Sequence, residues 1–174
     1  QPPLGKNDEN LVARERFDIP NLQKLSFGGS DRDVYNLGDN VLKIAKTARG
    51  LTQNVSSSDY YAEGAGLIPA TIEVGKNYVV KEKVLPPDEN VKKMISELKK
   101  ISLFKQVFGD QKEYYDNIQK AINVLNKYNY SGDDLLNYGE ILWQDLQAIR
   151  NWGTKNDKPI LLDGEITIPE ERRI

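Results

Sequence analysis

Residues Phe27-Gly28-Gly29-Ser30, then Val34-Tyr35-Asn36-Leu37, Gly38-Asp39-Asn40 and Val41-Leu42-Lys43-Ile44-Ala45 constrain the front of this chain most. Two strand-forming runs separated by a tight turn commit it to an antiparallel meander. The glycine pair ahead of them lets backbone N–H groups approach oxygen atoms with no Cβ in the way. Lys43 stands between the apolar residues Leu42 and Ile44. A glycine-bearing turn followed by one strand lysine is suited to covering phosphate groups and meeting them with a cation, which points to a nucleotide. Far downstream, Asn151-Trp152-Gly153 and Ile160-Leu161-Leu162-Asp163-Gly164 supply an amide and a carboxylate of the kind that hold a metal ion against phosphates.

The texture of the chain changes once. Residues 1–22 are polar and hold prolines, and they read as a lead-in segment. Strands are expected from Leu25 into Gly28-Gly29, at Asp33 to Leu37 and at Val41 to Ala45. A short helix is expected over 54–63, capped by Asn54 or a neighbouring serine, and a hairpin from Ala70 to Val74 and Tyr78 to Val84. Pro86-Pro87 ends the hairpin. Five antiparallel strands and a helix make a first lobe over 23–86. From Asp88 the period becomes helical, with Val91, Met94, Ile95, Leu98, Ile101 and, after a slip, Phe104 and Val107 on one face. Tyr115, Ile118, Ile122 and Leu125 predict a second helix, and 133–143 a third. A hairpin follows, from Trp152 to Thr154 and Ile160 to Leu162 around Lys155-Asn156-Asp157-Lys158. The class is α+β, with a reduced helical second lobe over 87–174.

Composition removes whole classes of chemistry. The 174 residues hold no cysteine and no histidine, so disulfides, thiolate catalysis, Cys-rich zinc sites and histidine general bases are excluded. Acid and base work falls to carboxylates. A net charge of −2 with interspersed signs gives no broad footprint for nucleic acid or an anionic membrane, and neither partner is expected. No apolar run approaches the length of a membrane span. The sequence starts at Gln1 rather than methionine, in keeping with a piece of a longer polypeptide. A cytoplasmic location is expected, with delivery inside a larger secreted or phage polypeptide as the alternative.

Gly29 to Tyr35, Val41 to Ala45, Asn151-Trp152-Gly153 and Leu161-Leu162-Asp163 occur in an order and spacing that resembles the protein-kinase-like superfamily, most closely the minimal kinase-like proteins of bacteriophages and mobile elements. The resemblance spans about residues 25–167. It implies a five-stranded antiparallel first lobe, ATP and Mg²⁺ as cofactors, and a nucleotide covered by Gly28, Gly29, Ser30 and Val34. Lys43 would reach the α- and β-phosphates, held by a carboxylate for which Asp59 is the first choice and Glu63 the runner-up. Asn151 and Asp163 would take the metal, and Asp145 would orient or deprotonate an acceptor hydroxyl. The pattern is also altered. Asp163-Gly164-Glu165 keeps the acid of the family's Asp-Phe-Gly triplet but not its aromatic, Trp143-Gln144 replaces the His-Arg pair, and Asp145 precedes Asn151 by six positions rather than five.

Three functions compete on this basis. The first is an ATP- and Mg²⁺-dependent phosphotransferase acting on a hydroxyl of a protein or small molecule. The second is a pseudokinase-like module that binds nucleotide without transfer. The third is a toxin or effector domain with a cognate protein partner. All three place Lys43 and Asp163 around one triphosphate. With the sequence ending at Ile174, acceptor recognition is expected from the lead-in segment, from residues 104–140, from a partner or from sequence beyond this stretch.

Overall fold

A computed structural model describes residues 10–25, 31–105, 108–137, 140–141, 143–162 and 166–167. The chain is α+β and divides into two units, Gln1–Asp59 with Pro69–Lys83, and Tyr60–Ile68 with Val84–Ile174.

The first unit is built on strands β1 (Arg32–Leu37), β2 (Asn40–Ala45), β3 (Thr71–Val74) and β4 (Tyr78–Glu82), antiparallel in the order β1-β2-β4-β3. Alternation sorts its residues. Tyr35, Leu37, Leu42, Ile44, Tyr78 and Val80 face one way and are covered by Ala13, Phe17, Ile19 and Leu22 of the lead-in segment. That segment forms the short helix α1 (Ala13–Arg16) and a 3₁₀ turn at Ile19–Asn21. It is tied down by Ala13 N donating to Asn77 Oδ1 at 2.8 Å and Lys76 N donating to Leu11 O at 2.7 Å. The opposite face carries Val34, Lys43, Val79 and Lys81 and receives helix α2 (Ala48–Ser56).

Two expectations meet the structure here. The first expected strand, from Leu25 into Gly28-Gly29, lies almost wholly outside the described residues; Lys24 just before it bridges Tyr35, and the described part of the sheet has four strands. The expected helix over 54–63 is two helices, α2 and α3 (Tyr60–Gly64), broken at 57–59. Asn54 lies inside α2 and caps nothing, and the cap is Thr47, whose Oγ1 accepts from Gly50 N at 3.1 Å. Gly50 lowers the helical signal of this stretch. It is there because a Cβ would fall 2.3 Å from Asp31 O and 3.2 Å from Ala45, so only glycine lets α2 lie this close to β2.

In the second unit, α4 (Glu89–Leu98), α5 (Lys112–Lys127) and α6 (Gly132–Asn137) join the hairpin β6 (Trp152–Lys155) and β7 (Lys158–Leu161). The two-residue strands β5 (Glu140–Ile141) and β8 (Ile166–Thr167) pair antiparallel. Val91, Met94, Leu98, Ile118, Ile122 and Leu125 enter the core as their spacing requires. The first helix stops at Leu98, so Phe104 is exposed rather than core-facing, and Val107 lies outside the described residues. Its end is capped by the Gln147 amide, which donates to Leu98 O at 2.8 Å and Ile101 O at 2.7 Å. The third helix ends at Asn137 instead of continuing to 143. Tyr115 is exposed although its spacing placed it on the buried face.

The β6–β7 turn is Asn156-Asp157, with φ of 51° and 61°. Two consecutive left-handed residues define a type I′ turn, where glycine is the favoured second residue. Asp157→Gly is expected to stabilise the chain by about 0.5–1 kcal/mol, read as a rise in denaturation midpoint with an unchanged slope.

Candidate functional site

In the first unit Lys43 pairs across the sheet with Val34 on β1 and Val79 on β4, so its side chain shares a face with both valines. It is half-buried on the face that carries α2. Gly28, Gly29 and Ser30 lie outside the described residues. Asp31, the residue after them, is held at the start of α2. Its carbonyl accepts from Lys46 N at 2.8 Å, and its Oδ1 accepts from Thr47 Oγ1 at 2.8 Å. Asp33 sits between Lys24 at 3.2 Å and Lys46 at 3.3 Å. Burial pushes the Asp33 carboxyl up, but hydrogen bonds and charge from the two lysines outweigh it and hold the group below its usual range.

The two acids considered for Lys43 are separated by the break between helices. Asp59 belongs to the first unit and is buried, at 6% exposure, while Glu63 lies on α3 in the second unit and is half-buried. They do not share one helix face. α2 itself, Ala48–Ser56, contains no acidic residue, and Asn54 is its buried polar contact, accepting from Arg32 Nη1 at 3.2 Å.

In the second unit the segment 143–151 is two 3₁₀ turns, Trp143–Gln147 and Ile149–Asn151. The loop is braced from within. Asn151 Nδ2 donates to Asp145 O at 2.9 Å, and Trp152 Nε1 donates to Leu146 O at 2.9 Å. Asn151 is buried, at 8% exposure, and its own carbonyl accepts from Leu162 N at 2.7 Å, which extends the hairpin ladder by one pair. With its NH₂ end committed to Asp145 O, the amide's remaining polar end is Oδ1. Leu146, the position five before Asn151, is fully buried in the core, whereas Asp145 is half-buried. Asp163, the covalent neighbour of Leu162, lies outside the described residues.

The structure therefore places Lys43, Val34 and Asp59 in one unit, and Asp145 and Asn151 on one braced loop of the other. One residue went unnoticed in the sequence. Lys81 is 2% exposed and shares the sheet face of Lys43, and its Nζ donates to Ser57 O and, at 3.0 Å, to Thr71 Oγ1. The alternation that orients Lys43 applies equally to Tyr78-Val79-Val80-Lys81 and would have found it.

The Mg²⁺ ion that the resemblance implies takes oxygen ligands and is characteristically held by one or two side chains, the rest of its shell being phosphate and water oxygens. Asn151 Oδ1, oriented by the bond on the other end of its amide, fits that requirement. Among the described residues no group of three or more acids is gathered as a cation site, and no helix is long and apolar enough to cross a membrane.

No family model and no curated protein matches the chain. Among solved structures, one described as the gentamicin-APH(2″)-IIa complex is similar over 88% of this chain and 70% of that one, at 17% identity and a TM-score of 0.42. At that score the likeness has no bearing on the chemistry.

Proposed function

We propose that the chain is a phosphotransferase of protein-kinase-like type that uses ATP with Mg²⁺ and transfers to a hydroxyl of a protein or small molecule. The observation that carries this reading is the pairing of Asn151 Nδ2 with Asp145 O, together with Leu162 N on Asn151 O. One buried residue thereby joins the residue bearing the candidate base, through its side-chain amide, to the residue preceding Asp163, through its main-chain carbonyl.

The roles follow from the groups. Lys43 places a cation on the α2 face of the sheet, where it would meet phosphate oxygens, and glycines ahead of β1 suit close approach of backbone N–H groups to the same oxygens. Asp145 would accept the proton of the acceptor hydroxyl as that oxygen bonds to phosphorus. Asn151 and Asp163 would hold the metal, which when bound supplies charge neutralisation at the phosphates. A second reading, nucleotide binding without transfer, is favoured by one feature, the loss of the aromatic of the Asp-Phe-Gly triplet at Asp163-Gly164-Glu165.

Calorimetric titration with a non-hydrolysable ATP analogue, with and without Mg²⁺, tests the proposal. Binding that strengthens with Mg²⁺ and weakens about tenfold or more in Lys43→Met is expected. No binding in either condition would overturn both readings. Binding without phosphate release or transfer to any acceptor would leave the second.

A further inference from the structure

We propose that Lys81 is a positioning residue that fixes Asp59 relative to Lys43 by clamping the end of α2; this rests on the nucleotide-binding reading above. Lys81 lies on β4, diagonal to Lys43, since Lys43 pairs with Val79 and Val41 with Lys81. Both side chains stand on the α2 face. The ammonium of Lys81 is almost wholly removed from water and donates to Ser57 O and Thr71 Oγ1. Ser57 is the C-cap of α2, so its carbonyl is among the helix's otherwise unpaired acceptors and sits at the negative end of the helix dipole. A cation there satisfies both the bond and the field.

The clamp has a downstream consequence. Two residues after Ser57 comes Asp59, buried and at the break before α3. α2 is held to the sheet at its start by Thr47 and Asp31, in its middle by Arg32 on Asn54, and at its end by Lys81 on Ser57. Only the last of these controls where the chain leaves the helix, and thus where Asp59 begins. A buried ammonium is expensive to desolvate, and an apolar side chain of similar length would fill the same volume without that cost. What methionine cannot supply is a donor to the Ser57 carbonyl.

The experiment is a cycle read by Mg²⁺-dependent affinity for a non-hydrolysable ATP analogue. It compares wild type, Asp59→Asn, Lys81→Met and the double variant, with Lys81→Arg as the conservative rescue and hydrogen exchange at residues 54–59 as a readout independent of ligand. Each single change is expected to weaken binding about tenfold, and the double variant to bind no more weakly than Asp59→Asn alone. Exchange should quicken at 54–59 in Lys81→Met and return toward wild type in Lys81→Arg. Additive losses, or wild-type affinity in Lys81→Met, would overturn the inference. Wild type that fails to bind the analogue would instead overturn the nucleotide-binding reading. Should Lys81→Met not fold, Thr71→Val, which removes a second partner of the ammonium, is expected to give a smaller loss that is likewise absent in the Asp59→Asn background. A loss that persists there would count against the inference.

Discussion

Asn151→Asp is expected to lose transfer activity as completely as Asn151→Ala, by about 10²-fold, although aspartate is close to isosteric and keeps an oxygen where a cation would be held. The reason is the other end of the amide. Asn151 Nδ2 donates to Asp145 O at 2.9 Å from a position only 8% exposed to solvent. A carboxylate has no hydrogen to give and would set a negative charge against that carbonyl. The alanine variant removes one donor to Asp145 O, which also accepts from Ala148 N at 3.3 Å, at about 0.5–1.5 kcal/mol. The aspartate variant adds repulsion, so it should be the less stable of the two at neutral pH. Protonation restores a donor, so its stability gap to wild type should narrow as pH falls, the direction expected for a carboxyl whose neutral form is favoured by folding. Denaturation midpoints between pH 4 and 8 beside turnover would decide the matter. An aspartate variant matching wild type in both would mean that only the oxygen matters and that the brace on Asp145 is incidental.

That brace marks how far the sequence could be read. The strands that carry Lys43 and Ile160-Leu161 are legible because strand alternation and turn chemistry act within a few residues, although the second hairpin is tighter than expected, Lys155 pairing with Lys158 around Asn156-Asp157. Helix faces such as Val91, Met94 and Leu98 are legible for the same reason. The errors fall where a distant group intervenes. α4 is capped at its end by Gln147, about fifty positions away along the chain, and α2 is built across Gly50 because the backbone of Asp31 leaves no room for a Cβ. Neither contact has a local signature. The ambiguity over Asp145 is of the same kind. Counting positions favours Leu146, but burial consigns Leu146 to the core and leaves Asp145 as the acid on the loop. Spacing alone cannot register that the segment folds as two successive 3₁₀ turns.

The largest loss of stability is expected from Gly75→Ala, a change of a single methyl at a buried position beside the β3–β4 turn. A Cβ at this position would lie 1.9 Å from Tyr78 Cε1 and 2.3 Å from Cζ, far inside contact distance, and Tyr78 is fully buried. The ring has nowhere to go. It packs edge-on against Phe17 at 5.2 Å, and its hydroxyl donates to Glu73 Oε2 at 2.6 Å. Glu73 in turn takes Arg16 Nε at 3.3 Å from α1. Moving Tyr78 therefore breaks a buried hydrogen bond and loosens the lead-in segment that covers one face of the sheet. Overpacking and a lost buried hydrogen bond together amount to about 2–5 kcal/mol, a fall in Tm of roughly 4–20 °C. The clash also predicts a dependence. In a Tyr78→Ala background, itself strongly destabilised, adding Gly75→Ala should cost little more, because the atoms it would strike are gone. Limited proteolysis should detect earlier cleavage within residues 10–25 in Gly75→Ala than in wild type. Equal midpoints for Gly75→Ala and wild type would mean that Tyr78 can leave the core without loss, and the account of how the lead-in segment is held would then be wrong.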